Sequence, residues 1–478
     1  MSLLSRRTVV GAGIAGAATF ALGSQSSEFD IVIANGFVID PESKLEAVRH
    51  IGIKGDRIAA ISRSKLSGKE VIDASDLVVA PGFIDLLAHG QDLEDDLVQV
   101  FDGVTTKLQM ESGADDQDTW HAEQKGNRVC NYGASVGHPR VRRQFLEGKV
   151  DPELGPSTPE QVQAMAQAVR KQLEKGALGV GFGLEYVPGT TRLETLEMFK
   201  VAAEFGASCH PHIRYGTYLE EQSVYTAIEE VMACAMMTGA PLHILHVPSM
   251  ALGNTEKALK MIEMAQANGF DITSCFYPYT AFGTGIGSEV FADGWQEKFG
   301  ITYGDLEMAH NHERLTKETF EKYRAEGTGM CIAHAIPEAA VRAAVMSKAT
   351  MVGSDGGLTN GVGHPRSSGT FARVLGKYSR EEEVISLRNA LAKMTIMPAK
   401  RMERRCPDFK RKGRIRVGCD ADITIFNSET IIDNATFEAP AKPSTGVEYV
   451  LINGQLVVNQ GTATGQKGGR PLRAPIKR

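Results

Sequence analysis

Between residues 81 and 400, helical stretches are each followed by a short apolar run. The stretch 161–175 precedes Leu178-Gly-Val180, and 226–238 precedes Leu242-His-Ile-Leu245. The same unit recurs as 254–267 before Phe270-Asp-Ile-Thr-Ser274 and as 338–347 before Thr350-Met-Val352. Repeated helix-then-strand units build a parallel sheet with helices outside it. About 320 residues of this texture suit a (β/α)8 barrel, which takes roughly 250 and tolerates insertions. A doubly wound sheet is the competing architecture, but no GxGxxG follows the first strand of the series. Residues 282–330 carry Trp295 and Phe299 without a clean βα unit, so they read as an insertion. Loops that follow barrel strands form the active face, which places that insertion as a lid.

Both ends of this middle have a different grain. From 29 to 79 the chain reads as short strands: 30–34, 37–39, 50–54, 58–61 and 77–80, parted by Asn35-Gly36 and Lys54-Gly55-Asp56. From 413 to 457 the texture returns in 415–417, 422–426 and 447–454. The expected division is a small β-domain from 29–80 plus 413–462, a barrel over 81–412, and a basic tail over 463–478. The tail and Lys410-Arg-Lys-Gly-Arg414 are expected to lie in solvent. A net charge of −6 argues against a nucleic-acid stripe. Seven cysteines without a CxxC pair fit neither a disulfide scaffold nor a zinc knuckle, and Cys209 and Cys275 read as small buried hydrophobes.

The first 28 residues read as an address. Ser5-Arg6-Arg7 precedes a Gly/Ala-rich apolar run, with a small-residue exit near Ala21-Leu22-Gly23 and no acid before Glu28. This resembles a bacterial twin-arginine signal, and so implies an exported, periplasmic protein. The run is about 15 residues, short of the roughly 20 that a span needs. No later stretch reaches 18 apolar residues, so no stable membrane span is expected once the signal is removed.

Chemistry collects where apolar runs end. Asp85 and His89 follow Ala80-Pro-Gly-Phe-Ile84, Glu111 follows 103–110, and His210 and His212 follow 207–209. His246 closes Leu242-His-Ile-Leu-His246, and Asp355 closes 350–354. The C-terminal ends of strands are where barrels place catalytic groups. Imidazoles and carboxylates with one open position describe a catalytic divalent zinc site.

The chain resembles the amidohydrolase superfamily, in its D-aminoacylase (N-acyl-D-amino-acid deacylase) branch. Val78-Val-Ala-Pro-Gly-Phe-Ile-Asp85, Cys209-His-Pro-His-Ile-Arg214 and Tyr277-Pro-Tyr-Thr-Ala281 carry the likeness. So do Val352-Gly-Ser-Asp355, His364-Pro-Arg366 before Gly369-Thr-Phe371, and Gly418-Cys-Asp-Ala-Asp-Ile-Thr424. The resemblance implies a distorted (β/α)8 TIM-like barrel with a small β-sandwich domain built from both chain ends. It implies a hydrolase that cleaves the amide bond of N-acyl D-amino acids, so its partner would be a small-molecule substrate that bears a carboxylate. His212 and His246 would bind a tightly held Zn2+, and Asp355 would carry the proton from water to the leaving amine. Arg366 would clamp the substrate carboxylate, and Tyr277 or Tyr279 would serve the oxyanion. Cyclic amides or lactones as substrates, and a binding paralogue without turnover, are the competing functions.

Three positions depart from that pattern. The branch has His-x-His after the first strand, whereas this chain has Leu87-Ala88-His89, so a second metal would bind weakly. The bridging Cys becomes Glu111, a harder ligand that still serves zinc. The Lys two residues after the second imidazole is Pro248, which implies a different specificity. His210 is an extra imidazole, read as a packing or supporting residue.

Overall fold

A computed structural model describes residues 29–216 and 222–476. The signal reading over 1–28 lies outside the described residues. Five strands come first: β1 (Phe29–Asp40), β2 (Leu45–Lys54), β3 (Arg57–Ser62), β4 (Gly68–Asp73) and β5 (Val78–Pro81). Then come the barrel strands β6 (Phe83–Asp85), β7 (Val104–Ala114), β8 (Asn131–Gly137), β9 (Gly179–Gly183), β10 (Ser208–His212), β11 (Leu242–Ile244) and β12 (Ile272–Phe276). The insertion supplies β13 (Phe282–Gly285), β14 (Leu306–Met308) and β15 (Met330–Ala333), and β16 (Thr350–Val352) completes the barrel. A hairpin of β17 (Leu358–Thr359) and β18 (Val362–Gly363) follows it. The chain returns to the first sheet with β19 (Ile423–Phe426), β20 (Val447–Ile452), β21 (Gln455–Asn459) and β22 (Thr462–Ala463).

The eight barrel strands run in the order β16-β12-β11-β10-β9-β8-β7-β6, all parallel. Just beyond β6 and β16 the ring closes. Ala88 bridges Gly356, the Asp355 amide donates to the Leu87 carbonyl at 2.6 Å, and the His89 amide donates to Gly356 at 2.7 Å. Helices cover the outside, so strands such as β8 and β9 are buried along their whole length. The helix Pro159–Glu174 shows how the sequence builds these helices. Thr158 and Gln161 form a reciprocal cap, Pro159 opens the first turn, and Val162, Met165, Ala166, Val169 and Leu173 make the buried stripe.

The two chain ends meet in one nine-stranded sheet. Its seam is β5 against β19, antiparallel, pairing Pro81 with Ile423 and Val79 with Ile425. Ile31, Ile33, Ile51, Ile53, Val79, Ile423, Ile425 and Leu451 form its core. Three expectations need correction. Residues 415–417 are not a strand, because the Ile415 amide is taken by the Asp40 carboxylate at 3.1 Å instead of by a neighbouring strand. Lys412 and Arg414 are buried rather than solvated: Lys412 pairs with Asp420 (2.9 Å) and Asp422 (2.6 Å), and Arg414 with Glu42 (2.7 Å) and Glu403. The tail also docks. Leu472 donates to the Tyr132 carbonyl at 2.7 Å and Ala474 to that of Gly176 at 3.0 Å, and both side chains are buried beside the barrel. Apolar Leu472 and Ala474 stand two apart on either side of Arg473, a strand-like spacing that the charge of the segment conceals.

The insertion is a three-stranded antiparallel sheet, β13-β15-β14, with helices Trp295–Phe299 and Lys317–Glu326. Phe291, Trp295, Tyr303 and Phe320 hold it together as an aromatic cluster. It leaves the barrel after β12, on the catalytic face, and touches the rim there. Thr284 contacts the Tyr186 hydroxyl at 3.2 Å, and Arg366 donates to the Gly283 carbonyl at 3.1 Å.

Candidate metal centre

Barrel strands deliver five side chains to one point. Glu111 lies in β7, His212 ends β10, and His246, His89 and Asp355 stand just past β11, β6 and β16. Glu111 is at the centre: its carboxylate lies 3.3 Å from His212 Nδ1, 3.6 Å from His246 Nε2 and 3.4 Å from His89 Nε2. Two overlapping ligand groups result, Glu111–His212–His246 and His89–Glu111–Asp355. The first is buried throughout. His246 and Asp355 both hold positive φ (28° and 53°) without being glycine, a strained backbone that the ring closure and packing maintain.

The hydrogen bonds around the imidazoles leave the inward nitrogens free. His212 Nε2 faces Glu185 Oε2 at 2.8 Å; a carboxylate only accepts, so His212 donates there and Nδ1 keeps its lone pair. Ser249 Oγ gives its proton to the His246 carbonyl at 2.8 Å, so it accepts from His246 Nδ1 at 3.0 Å and leaves Nε2 unprotonated. Glu111 Oε2 and His212 Nδ1 are buried and without hydrogen-bond partners. Converging, orphaned donors of this kind fit a divalent metal, and two imidazoles with one carboxylate suit zinc in particular.

The electrostatics agree. Burial raises the Glu111 pKa, but the imidazoles of His212, His246 and His89 gathered around it outweigh burial and hold the carboxyl well below its ordinary range. Burial opposes charge on His212 and His89 as well. Glu111 and Glu185 nevertheless push His212 up to about 9, and Asp355 and Glu111 push His89 up to about 10. A field that holds cationic protons this firmly also attracts a metal cation. Asp355 resists burial in the same way. Arg366 at 2.8 Å and His89 at 2.9 Å keep it below the usual carboxylate value, and therefore ionised at neutral pH.

Comparison with known proteins settles the family. The Amidohydrolase family model matches residues 144–458. N-acyl-D-glutamate deacylase of Alcaligenes xylosoxydans xylosoxydans is 32% identical, over 93% of this chain and 97% of that protein. The chain belongs to the amidohydrolase family. D-aminoacylase of the same organism is 29% identical over 94% of this chain and 98% of that protein. A crystal structure of N-acyl-D-glutamate deacylase from Bordetella bronchiseptica, with zinc and a phosphonate inhibitor, superposes with a TM-score of 0.80 and 28% identity. It covers 94% of this chain and all of that one. These relatives bear out the resemblance to the D-aminoacylase branch.

Within this amidohydrolase, Leu87 is fully buried and packs with Leu245 and Cys275, so an apolar trio stands where the branch carries a ligand. His210 bonds Ser208 at 2.7 Å and lies at a tilt beside the His243 ring (5.2 Å), outside both ligand groups. Pro248 opens the short helix Val247–Ala251, whose Ser249 fixes His246. Arg366 lies over the Tyr277 ring at 4.6 Å, and the buried Tyr277 hydroxyl has no hydrogen-bond partner. Tyr279 is a correction. Its hydroxyl contacts Asp433 at 3.2 Å and its ring lies under Arg373, so it braces the fold rather than facing the site.

Sequence reasoning missed Glu185, Ser249, Lys298 and Arg140. Glu185 stands two residues after β9 and obeys the same strand-end rule as the ligands. A narrow cleft opens over the centre, lined by Glu185, Met250, Tyr277, Phe282, Val290 and Phe299. On its other side a more open mouth is lined by Arg140, Arg143 and Arg366. Among the described residues no helix is long and apolar enough to cross a membrane.

Proposed function

We propose that this amidohydrolase cleaves the amide bond of N-acyl-D-amino acids on one tightly held zinc ion, after export to the periplasm. The observation that carries this reading is the convergence of Glu111, His212 and His246 with an ionised Asp355 alongside. Zinc on those three residues would supply, when bound, Lewis acidity for the amide carbonyl and a lowered pKa for water. Asp355 takes the proton that the attacking water gives up and returns it to the amine nitrogen as the C–N bond breaks. Arg366 takes the substrate carboxylate. Its Nε is buried without a partner, and its planar fork matches that group. The Tyr277 hydroxyl is positioned to donate to the oxygen that gains charge. His89 and Asp355 remain for a second, weaker ion, because Leu87 offers no donor.

The mouth points to substrates with a second anionic group. Arg140 is held by the Ser112 carbonyl at 3.1 Å and has no carboxylate partner among the described residues, so its outer nitrogens remain available. A panel of N-acetyl D- and L-amino acids tests the assignment: turnover restricted to the D series, highest for acidic members, is the expected result. Turnover of cyclic amides or lactones without any N-acyl amino acid hydrolysis would replace it.

A further inference from the structure

We propose that Lys298 is a positioning residue that ties docking of the insertion to metal retention, acting through Glu185 on His212. The inference rests on His212 being a metal ligand, as proposed above. Glu185 is buried, and its two oxygens are divided between different parts of the molecule. Oε2 receives His212 Nε2–H at 2.8 Å, while Oε1 is ion-paired with the Lys298 ammonium. Lys298 belongs to the insertion helix Trp295–Phe299, 113 residues along the chain from Glu185. Its ammonium also lies over the Phe299 ring at 4.7 Å, and the Phe299 ring packs at a tilt against Phe282 at 5.2 Å. An unbroken path therefore runs from the aromatic core of the insertion to the imidazole that faces Glu111.

The physical role follows from charge and geometry. Among the described residues, Lys298 is the Lys or Arg paired with Glu185. Removing it leaves a buried carboxylate without a compensating cation, a strongly unfavourable state that is relieved by turning Glu185 toward water. His212 would then lose the acceptor that fixes its tautomer and ring orientation. Loss of such a supporting partner typically weakens metal binding 10–100-fold. Binding free energies are reciprocal, so a metal that prefers the ordered His212 must also favour the docked insertion.

The test uses the full chain with Zn2+ as the probe, in wild type, Lys298→Met, Lys298→Arg and Glu185→Gln. Zn2+ affinity is read by competition with a chelating dye, and insertion docking by hydrogen exchange of residues 286–300 with and without Zn2+. Lys298→Met should weaken Zn2+ binding by about 10–100-fold, and Lys298→Arg should restore most of it. Zn2+ should slow exchange in the wild-type insertion and not in Lys298→Met. Glu185→Gln keeps an oxygen for His212 but removes the charge that Lys298 meets. It should lose Zn2+-dependent protection, and it serves if Lys298→Met fails to fold. Wild-type Zn2+ affinity in Lys298→Met, or unchanged protection in Glu185→Gln, overturns the coupling alone. A wild-type chain that binds no Zn2+ overturns the metal reading with it.

Discussion

Replacing Asp355 by Asn keeps the side-chain shape and removes its charge, which separates two jobs done by one carboxylate. As the proton carrier, its loss should lower kcat by at least 10²–10⁴-fold. As the partner of buried Arg366 at 2.8 Å, its loss leaves a guanidinium without its anion. Breaking a buried pair from one side costs about 3–5 kcal/mol, a large share of the 5–15 kcal/mol that holds a domain together. A dead but half-unfolded variant would prove nothing, so the double variant Asp355→Asn/Arg366→Met is the control. Removing both charges should return most of the stability and none of the activity. Metal should stay, because Glu111, His212 and His246 form a group without Asp355. The assays are urea midpoints, metal content per chain and single-turnover rates at full metal loading. A rate within tenfold of wild type would refute the base assignment, and loss of the metal would show that Asp355 is a ligand of the tight site.

Other perturbations follow from the same geometry. Leu87→His should destabilise the metal-free protein by about 2 kcal/mol or more, because an imidazole enters an apolar trio; it should bind a second Co2+, and a stoichiometry that stays at one would deny that Leu87 is what weakens the second site. Glu111→Ala should abolish metal retention through dialysis while Glu111→Cys keeps it, since both ligand groups share Glu111; retention by the alanine variant would remove Glu111 from the centre. Arg140→Ala should lower kcat/KM for N-acetyl-D-glutamate about tenfold, one charge-assisted hydrogen bond, and spare N-acetyl-D-leucine; equal effects on both would dismiss the cationic mouth. Glu194 is fully buried against His138 (2.6 Å) and Arg142, and although burial opposes ionisation its carboxyl is drawn down from 4.5 to about 2. Its stabilisation, about 3 kcal/mol above pH 4.5, should fade as the pH falls toward 2. Glu194→Gln should flatten the acid limb of the stability curve in that window, and parallel curves would refute the link.

The barrel was legible because its helices alternate with buried strands that are short apolar runs; the Thr158–Gln161 cap, which starts one helix two residues before the expected 161, went unread. The ligands were legible because strand ends aim at one face. Glu185 obeys that rule yet went unnoticed: the apolar run is legible only to Val180, and Gly181-Phe-Gly183 hides the last residues of β9 that bring the chain to this carboxylate. Tyr277 and Tyr279 look equivalent under a two-residue period, but β12 ends at Phe276, and beyond it alternation no longer predicts facing. Lys298 left no local signal at all, since its partner lies 113 residues away. The tail was misread because charge dominates its composition while two small apolar residues decide its place.

The most direct test is metal content set against rate in one preparation. Protein purified without added metal should carry about one zinc per chain. Removing it with a chelator should abolish hydrolysis of N-acetyl-D-amino acids, and one equivalent of Zn2+ should restore it. A metal-free preparation that hydrolyses them at the same rate, before and after Zn2+, would contradict the account at its centre.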